Sequence, residues 1–247
     1  MCIYQLKYSF VEKGDPQCEQ KKRYEEYVNK FVDKGYLIAT NIKTYEILIT
    51  EKAENLFKVS PAFFNTTIYN SFSLSTILLA AFFSKGDDAS IHGFLNYCAQ
   101  HQKFIFTKDF YDEKINVPNS KIKVDMGDFA TRLNDARQML IDNAELISII
   151  INNRNNVFAH FNKDYLINHK KQLTVTIENL KKALDLAERV LNKIWCYYDM
   201  TFRSFTPINE SDINHTINVI DKYKKQKTNS FDDKQKARQT PRFDFAH

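Results

Sequence analysis

Arg154-Asn155-Asn156-Val157-Phe158-Ala159-His160, with Asp164 close behind, sets a guanidinium and an imidazole within one short stretch of chain. Arginine stays charged at every accessible pH, and histidine titrates near neutrality. Together they can run phosphoryl chemistry without a metal, the imidazole moving protons and the guanidinium neutralising an oxyanion. Asn152, Asn153, Asn155 and Asn156 flank the arginine. Asparagine amides compete for backbone hydrogen bonds, so such a run between two apolar helical patterns is odd for a purely structural stretch. Elsewhere the sequence holds no His, Asp and Glu cluster with metal-ligand spacing and no glycine-rich phosphate loop. Neither a metal nor a cofactor is therefore expected.

Six positions on an ideal helix turn through about 600°, some 120° short of two full turns. Arg154 and His160 thus share no face on a straight helix. They converge if the asparagine run marks a bend, or if a second copy brings its own pair across a two-fold axis. Two arginines and two histidines at one cleft would suit ribonuclease chemistry. One histidine takes the proton from a ribose 2′-hydroxyl, another donates to the leaving 5′-oxygen, and arginine stabilises charge on the phosphate. The product is a 2′,3′-cyclic phosphate, and DNA resists because it lacks the 2′-hydroxyl. From the residues alone a plainer reading is the more common one: a histidine satisfied in the core or at the surface, an Arg154–Asp164 ion pair at a helix end, and an asparagine loop.

The elements that must position this motif are helical. Five glycines and five prolines in 247 residues are too few for the turns of an all-β fold, and 43% hydrophobic residues with 20 Phe and 13 Tyr can build a core. A helical pattern runs from Cys18 to about Phe57, with Gly35 placed to kink or divide it. Ser60-Pro61 starts a helix that continues to about Phe83 and is apolar nearly all round, so burial is expected. Its most apolar window, Phe72 to Phe83, is too short for a bilayer, and no membrane is expected. Gly86-Asp87-Asp88 reads as a loop before a shorter helix over roughly Ala89 to Gln100, and 101–124 as an irregular excursion. Residues 128–151 form an amphipathic helix on Leu133, Ala136, Leu140, Ala144, Ile147 and Ile151. Leu173, Ile177, Leu180, Leu184, Ala187, Leu191, Ile194 and Tyr198 make a seam that must pack on a partner helix. The expected architecture is an all-α bundle with a long helical hairpin, the motif lying between its two most regular helices.

Residues 1–206 read as a single domain carrying the motif 154–160, and 207–247 as a short helix near Ile213 to Tyr223 followed by a basic, disordered tail. The stretch 221–247 holds eight Lys/Arg against four Asp, so it carries four of the five net positive charges. A near-neutral body does not support a general duplex-binding surface. The N-terminus lacks a signal-peptide pattern, and Cys2, Cys18, Cys98 and Cys196 form no CxxC pair. A cytoplasmic protein with reduced thiols is expected.

Arg154-Asn155-x-x-x-Ala159-His160 behind an amphipathic helix resembles the R-x(4–6)-H motif of HEPN domains, and Asp164 matches the acidic residue often found after the histidine. Pro61-Ala62-Phe63-Phe64 through Phe83, Asp87-Asp88 and the following short helix resemble the AbiU2-like HEPN group of abortive-infection systems. The resemblance covers roughly residues 20–200. It implies an all-α HEPN-like homodimer with the motif pair at the dimer cleft. The implied activity is metal-independent RNA cleavage by a toxin or antiviral effector, with an antitoxin or regulatory protein as a further partner. By that likeness Arg154 and His160 are catalytic and Asn155 assists. Phe161 departs from the pattern, because a basic residue often follows the histidine there. The alternative is a non-catalytic HEPN dimer that acts as a scaffold or regulatory module.

His169, Lys170 and Lys171 open the next helix and are candidates for RNA phosphate contact, beside the plainer reading of a solvated helix start. His101 and Lys103 could assist RNA stacking by Phe104 or Phe106, although core packing suits the aromatics better. His92 reads as structural. Lys224, Lys225 and Lys227 belong to the solvated tail and could recruit RNA non-specifically.

Overall fold

The computed structural model describes residues 16–50, 54–106, 129–159, 175–199, 201–207, 211–212, 214–223 and 225–226. The described residues are helical, with no strand among them. In chain order the helices are α1 (Pro16–Leu48), α2 (Glu54–Val59), α3 (Pro61–Phe83), α4 (Ile91–Ile105), α5 (Phe129–Asp142), α6 (Ala144–Asn153) and α7 (Ile177–Asp199). A π-helical segment, Arg154–Ala159, follows α6 directly.

The long first helix is continuous through Gly35, which neither kinks nor divides it. The glycine instead makes room, because a Cβ there would collide with the Phe205 ring. The chain breaks later, after Leu48, where Thr50 Oγ1 donates to Ile47 O (2.7 Å). On one side Tyr24, Phe31, Ile38 and Ile42 of α1 are buried. Tyr24 meets Tyr198 of α7 at 4.4 Å between ring centroids and Phe94 of α4 at 5.6 Å. Such tilted aromatic contacts add specificity beyond the area they bury.

α3 packs against α1, α6 and α7. Burial all round was expected, but only one side is covered: Tyr69, Leu74 and Ile77 face out while Ser71, Ser75 and Thr76 face in. Small inward residues let neighbouring helices come close. Two of the hydroxyls avoid an unmet desolvation cost by bonding back along the helix, Ser75 to Ser71 O (2.8 Å) and Thr76 to Phe72 O (3.0 Å). At 23 residues this helix exceeds the window 72–83 and is long and apolar enough to cross a bilayer. Here it is a core element.

α4 starts two residues later than expected, at Ile91, because the hydroxyl of Ser90 caps it by accepting from Gly93 N (3.1 Å). Asp87 closes the preceding turn by accepting from Ala89 N (2.8 Å). Gly93 has to be glycine, since a Cβ would strike the backbone of Asp88. Residues 101–105 extend α4 and do not open an irregular excursion; the remainder of that stretch, 107–124, lies outside the described residues.

The single helix expected over 128–151 is two helices. Asn143 interrupts it by donating its side-chain amide to Met139 O (2.8 Å), the backbone competition typical of this residue. The seam of α7 is wider than a strict heptad: Leu180, Ala183, Ala187, Val190, Leu191, Ile194, Trp195 and Tyr198 are buried. Its partners are in the same chain, namely α1, α3, α5 and α6. Phe129 pairs with Tyr197 (5.2 Å) and Asp135 with Lys193 (3.4 Å), so α5 and α7 run antiparallel. Thr176 caps α7 by accepting from Asn179 N (3.1 Å), and Asn179 returns the bond through its Oδ1 to Thr176 N (3.0 Å).

After α7 the strap 201–207 folds back. Asn192 clasps Arg203 from both sides, donating to its carbonyl (2.7 Å) and accepting from its N–H (2.8 Å). Glu188 accepts from Phe205 N, and the Phe205 ring faces Trp195 at 6.1 Å. The helical stretch 214–223 then docks Ile217 on Leu48, Leu56 and Phe64 in a second small core.

Candidate functional site

α6 presents Ile147 and Ile150 to the core, seven and four positions before Arg154, so the arginine falls on the inward side of the same helix. α-geometry ends there. Arg154 N–H is shared between the carbonyls of Ile150 and Ile151, and from Arg154 to Ala159 the backbone takes the wider i→i+5 turn. The asparagine run therefore does mark a departure from the straight helix. Its weak helix formers give up little by leaving α-geometry, and this segment packs on α3 and α6.

Arg154 is half-buried, and its Nε is fully buried with no hydrogen-bond acceptor among the described residues. Among those residues it also makes no ion pair. The C-terminal end of α6 favours a cation at this position but does not supply the missing acceptor. An unmet donor on a charged group is costly, and a bound ion, an ordered water or a ligand would complete its bonding. Asn153 is buried beside it, Asn155 is half-exposed and Asn156 is exposed. Asn152 is held by its amide on Ser148 Oγ (3.1 Å).

The structure thus brings Arg154 and Asn155 together at the start of the π segment. His160, Asp164, His169, Lys170 and Lys171 lie outside the described residues. Of the other residues considered for RNA contact, His101 packs on Tyr97 (4.6 Å) and Phe106 joins the core against Phe129 (4.1 Å), whereas Phe104 is exposed. Among the described residues no three His, Cys, Asp or Glu side chains gather as a metal site.

One feature next to the motif was not legible in the chain. A cleft of about 360 Å³ lies between α6, the end of α5 and the corner leading into α4, and its wall includes Ile141, Ile147, Ile151 and Asn152 facing Lys85 and His92. His92, expected to be purely structural, is half-buried, and burial followed by the charge of Lys85 holds its imidazole below the usual histidine range. Nothing in spacing links positions 85, 92 and 152. Only the packing of α6 beside the α3–α4 corner joins them.

A family model described as AbiU2, of the HEPN class, matches residues 21–219. No curated protein and no solved structure matches the chain. The family match begins within α1, takes in every later helix, and ends inside the docked stretch 214–223. The chain belongs to the AbiU2 family of HEPN domains.

Proposed function

We propose that this protein is a metal-independent endoribonuclease acting as an abortive-infection effector, with Arg154 and His160 as its catalytic pair and Asn155 as an assistant. The observation that carries the reading is the state of Arg154. The Arg–His motif of this chain resembles that of HEPN domains, and its guanidinium stands at a π turn with its buried Nε lacking an acceptor among the described residues. Part of the Arg154 side chain stays exposed, and a phosphate suits that part because a planar guanidinium can bond it through parallel N–H groups.

In the proposed reaction, one imidazole removes the proton of a ribose 2′-hydroxyl. The 2′-oxygen attacks the adjacent phosphorus, and the bond from phosphorus to the 5′-oxygen breaks. A second imidazole, contributed by the other copy of a homodimer, gives its proton to that leaving oxygen. Arg154 holds the charge that builds on the non-bridging oxygens. His169, Lys170 and Lys171 would follow the neighbouring phosphates.

The test is incubation of the purified protein and of His160→Ala with total RNA in excess chelator. Cleavage by the unsubstituted protein alone supports the reading. Intact RNA with both proteins, each shown to be folded and dimeric, assigns the fold to a scaffold or regulatory role.

A further inference from the structure

The cleft beside the motif has features that the reaction centre does not use. Its volume, about 360 Å³, falls within the range of small-ligand pockets. Its apolar wall continues onto Ile141, which is 64% exposed and is thus an uncovered aliphatic edge at the rim. Opposite stands Lys85, which forms no ion pair among the described residues. His92, from the first turn of α4, lines the same side as Lys85. Asn152 donates its amide N–H to Ser148, and its carbonyl oxygen is a separate acceptor at the cleft.

The placement relative to Arg154 gives the cleft its meaning. Arg154, the residue at which α-geometry ends, follows Ile151 by three positions and Ile147 by seven. Those are same-face spacings on a helix. The motif therefore prolongs the stripe that walls the cleft, roughly 5 Å further along the axis. Consecutive nucleotides of one strand could occupy both places.

We propose that this cleft is a nucleotide subsite: it takes one base of single-stranded RNA against the Ile141–Ile151 wall, with that nucleotide's phosphate at Lys85. A base needs an apolar face and an edge partner, and aliphatic residues, the His92 ring and the Asn152 amide supply them. Cation and apolar wall at one cleft match the mixed character of a nucleotide better than a purely acidic or purely greasy ligand. The identity of the ligand as RNA rests on the ribonuclease reading above.

Binding is measured in the His160→Ala background, so that cleavage does not intrude, by fluorescence anisotropy of a labelled single-stranded oligoribonucleotide at fixed salt. Ala144→Phe fills the cleft from an exposed position, and Lys85→Gln removes its cation. Each is expected to raise Kd about tenfold, and Lys85→Gln also lowers the salt slope by about one. Lys182→Gln, an exposed lysine on α7, is the control and leaves Kd unchanged. The subsite is overturned if both cleft variants bind like their parent, or if the parent binds no RNA. Loss of binding at the cleft with no cleavage by the unsubstituted protein keeps the subsite and removes the ribonuclease. Cleavage with unaltered binding in the cleft variants does the reverse.

Discussion

Replacing Arg154 with methionine should make the protein more stable and inactive at once. Methionine keeps an unbranched stem that can follow the arginine's path through half-buried surroundings. The substitution removes a buried Nε that has no acceptor among the described residues. A buried donor left unmet costs about 1–3 kcal/mol. Against this, loss of a cation from the C-terminal end of α6 gives back about 0.3–1 kcal/mol. The expected net gain is about 1–2 kcal/mol, or a rise in Tm of roughly 2–8 °C for a chain of this size. Cleavage should fall by about 10²–10³, the usual effect of removing one oxyanion donor. The assays are thermal unfolding followed by far-UV circular dichroism, and RNA cleavage under single-turnover conditions. Lower stability with unchanged cleavage would refute the reasoning, because it would make the guanidinium a structural strut.

Gly35→Ala drives a Cβ into the buried ring of Phe205 and should cost about 1–3 kcal/mol of unfolding free energy in urea, with Phe205→Leu restoring part of it. Asn192→Ala strips both bonds from the backbone of Arg203 and should cost about 1–3 kcal/mol, read as earlier proteolysis within 201–207. Cys98 is fully buried and its thiol is pushed well above the usual range, so at pH 8 Cys18 and Cys196 should take up a maleimide first, as mass spectrometry of the folded protein would show. His92 is held below its ordinary value of 6.5, first by burial and then by Lys85, so the folded state resists protonating it. Its stabilising contribution is whole above 6.5 and is lost as pH falls through the lower folded value; a urea midpoint that declines on acidification less in His92→Gln than in the unsubstituted protein confirms this.

Much of the helical framework was legible because its causes are local and periodic. Ser60-Pro61 marks the start of α3, and the spacing of Leu180, Ala187, Leu191, Ile194 and Tyr198 marks the buried side of α7. The misreadings fall where one side chain overrides the pattern. Asn143 divides a helix whose apolar spacing runs through it undisturbed, since its amide captures the Met139 carbonyl. Gly35 looks like a breaker and is a socket for a ring from 170 positions away in sequence. In the middle of α3, Ser71, Ser75 and Thr76 are buried while Leu74 and Ile77 are exposed, because close helix approach there selects size before polarity.

The candidate site divides in the same way. Arg154 and its asparagines stood out by residue type, and the π turn gives them a geometry that periodicity could not. The Lys85–His92 side of the cleft was hidden because no spacing rule ties the α3–α4 corner to α6.

End-group analysis of RNA fragments produced in excess chelator tests the central claim most directly. The account predicts 2′,3′-cyclic phosphate and 5′-hydroxyl ends with the unsubstituted protein, and no fragments with His160→Ala. Fragments bearing 5′-phosphate ends, or the same fragments from His160→Ala, would contradict it.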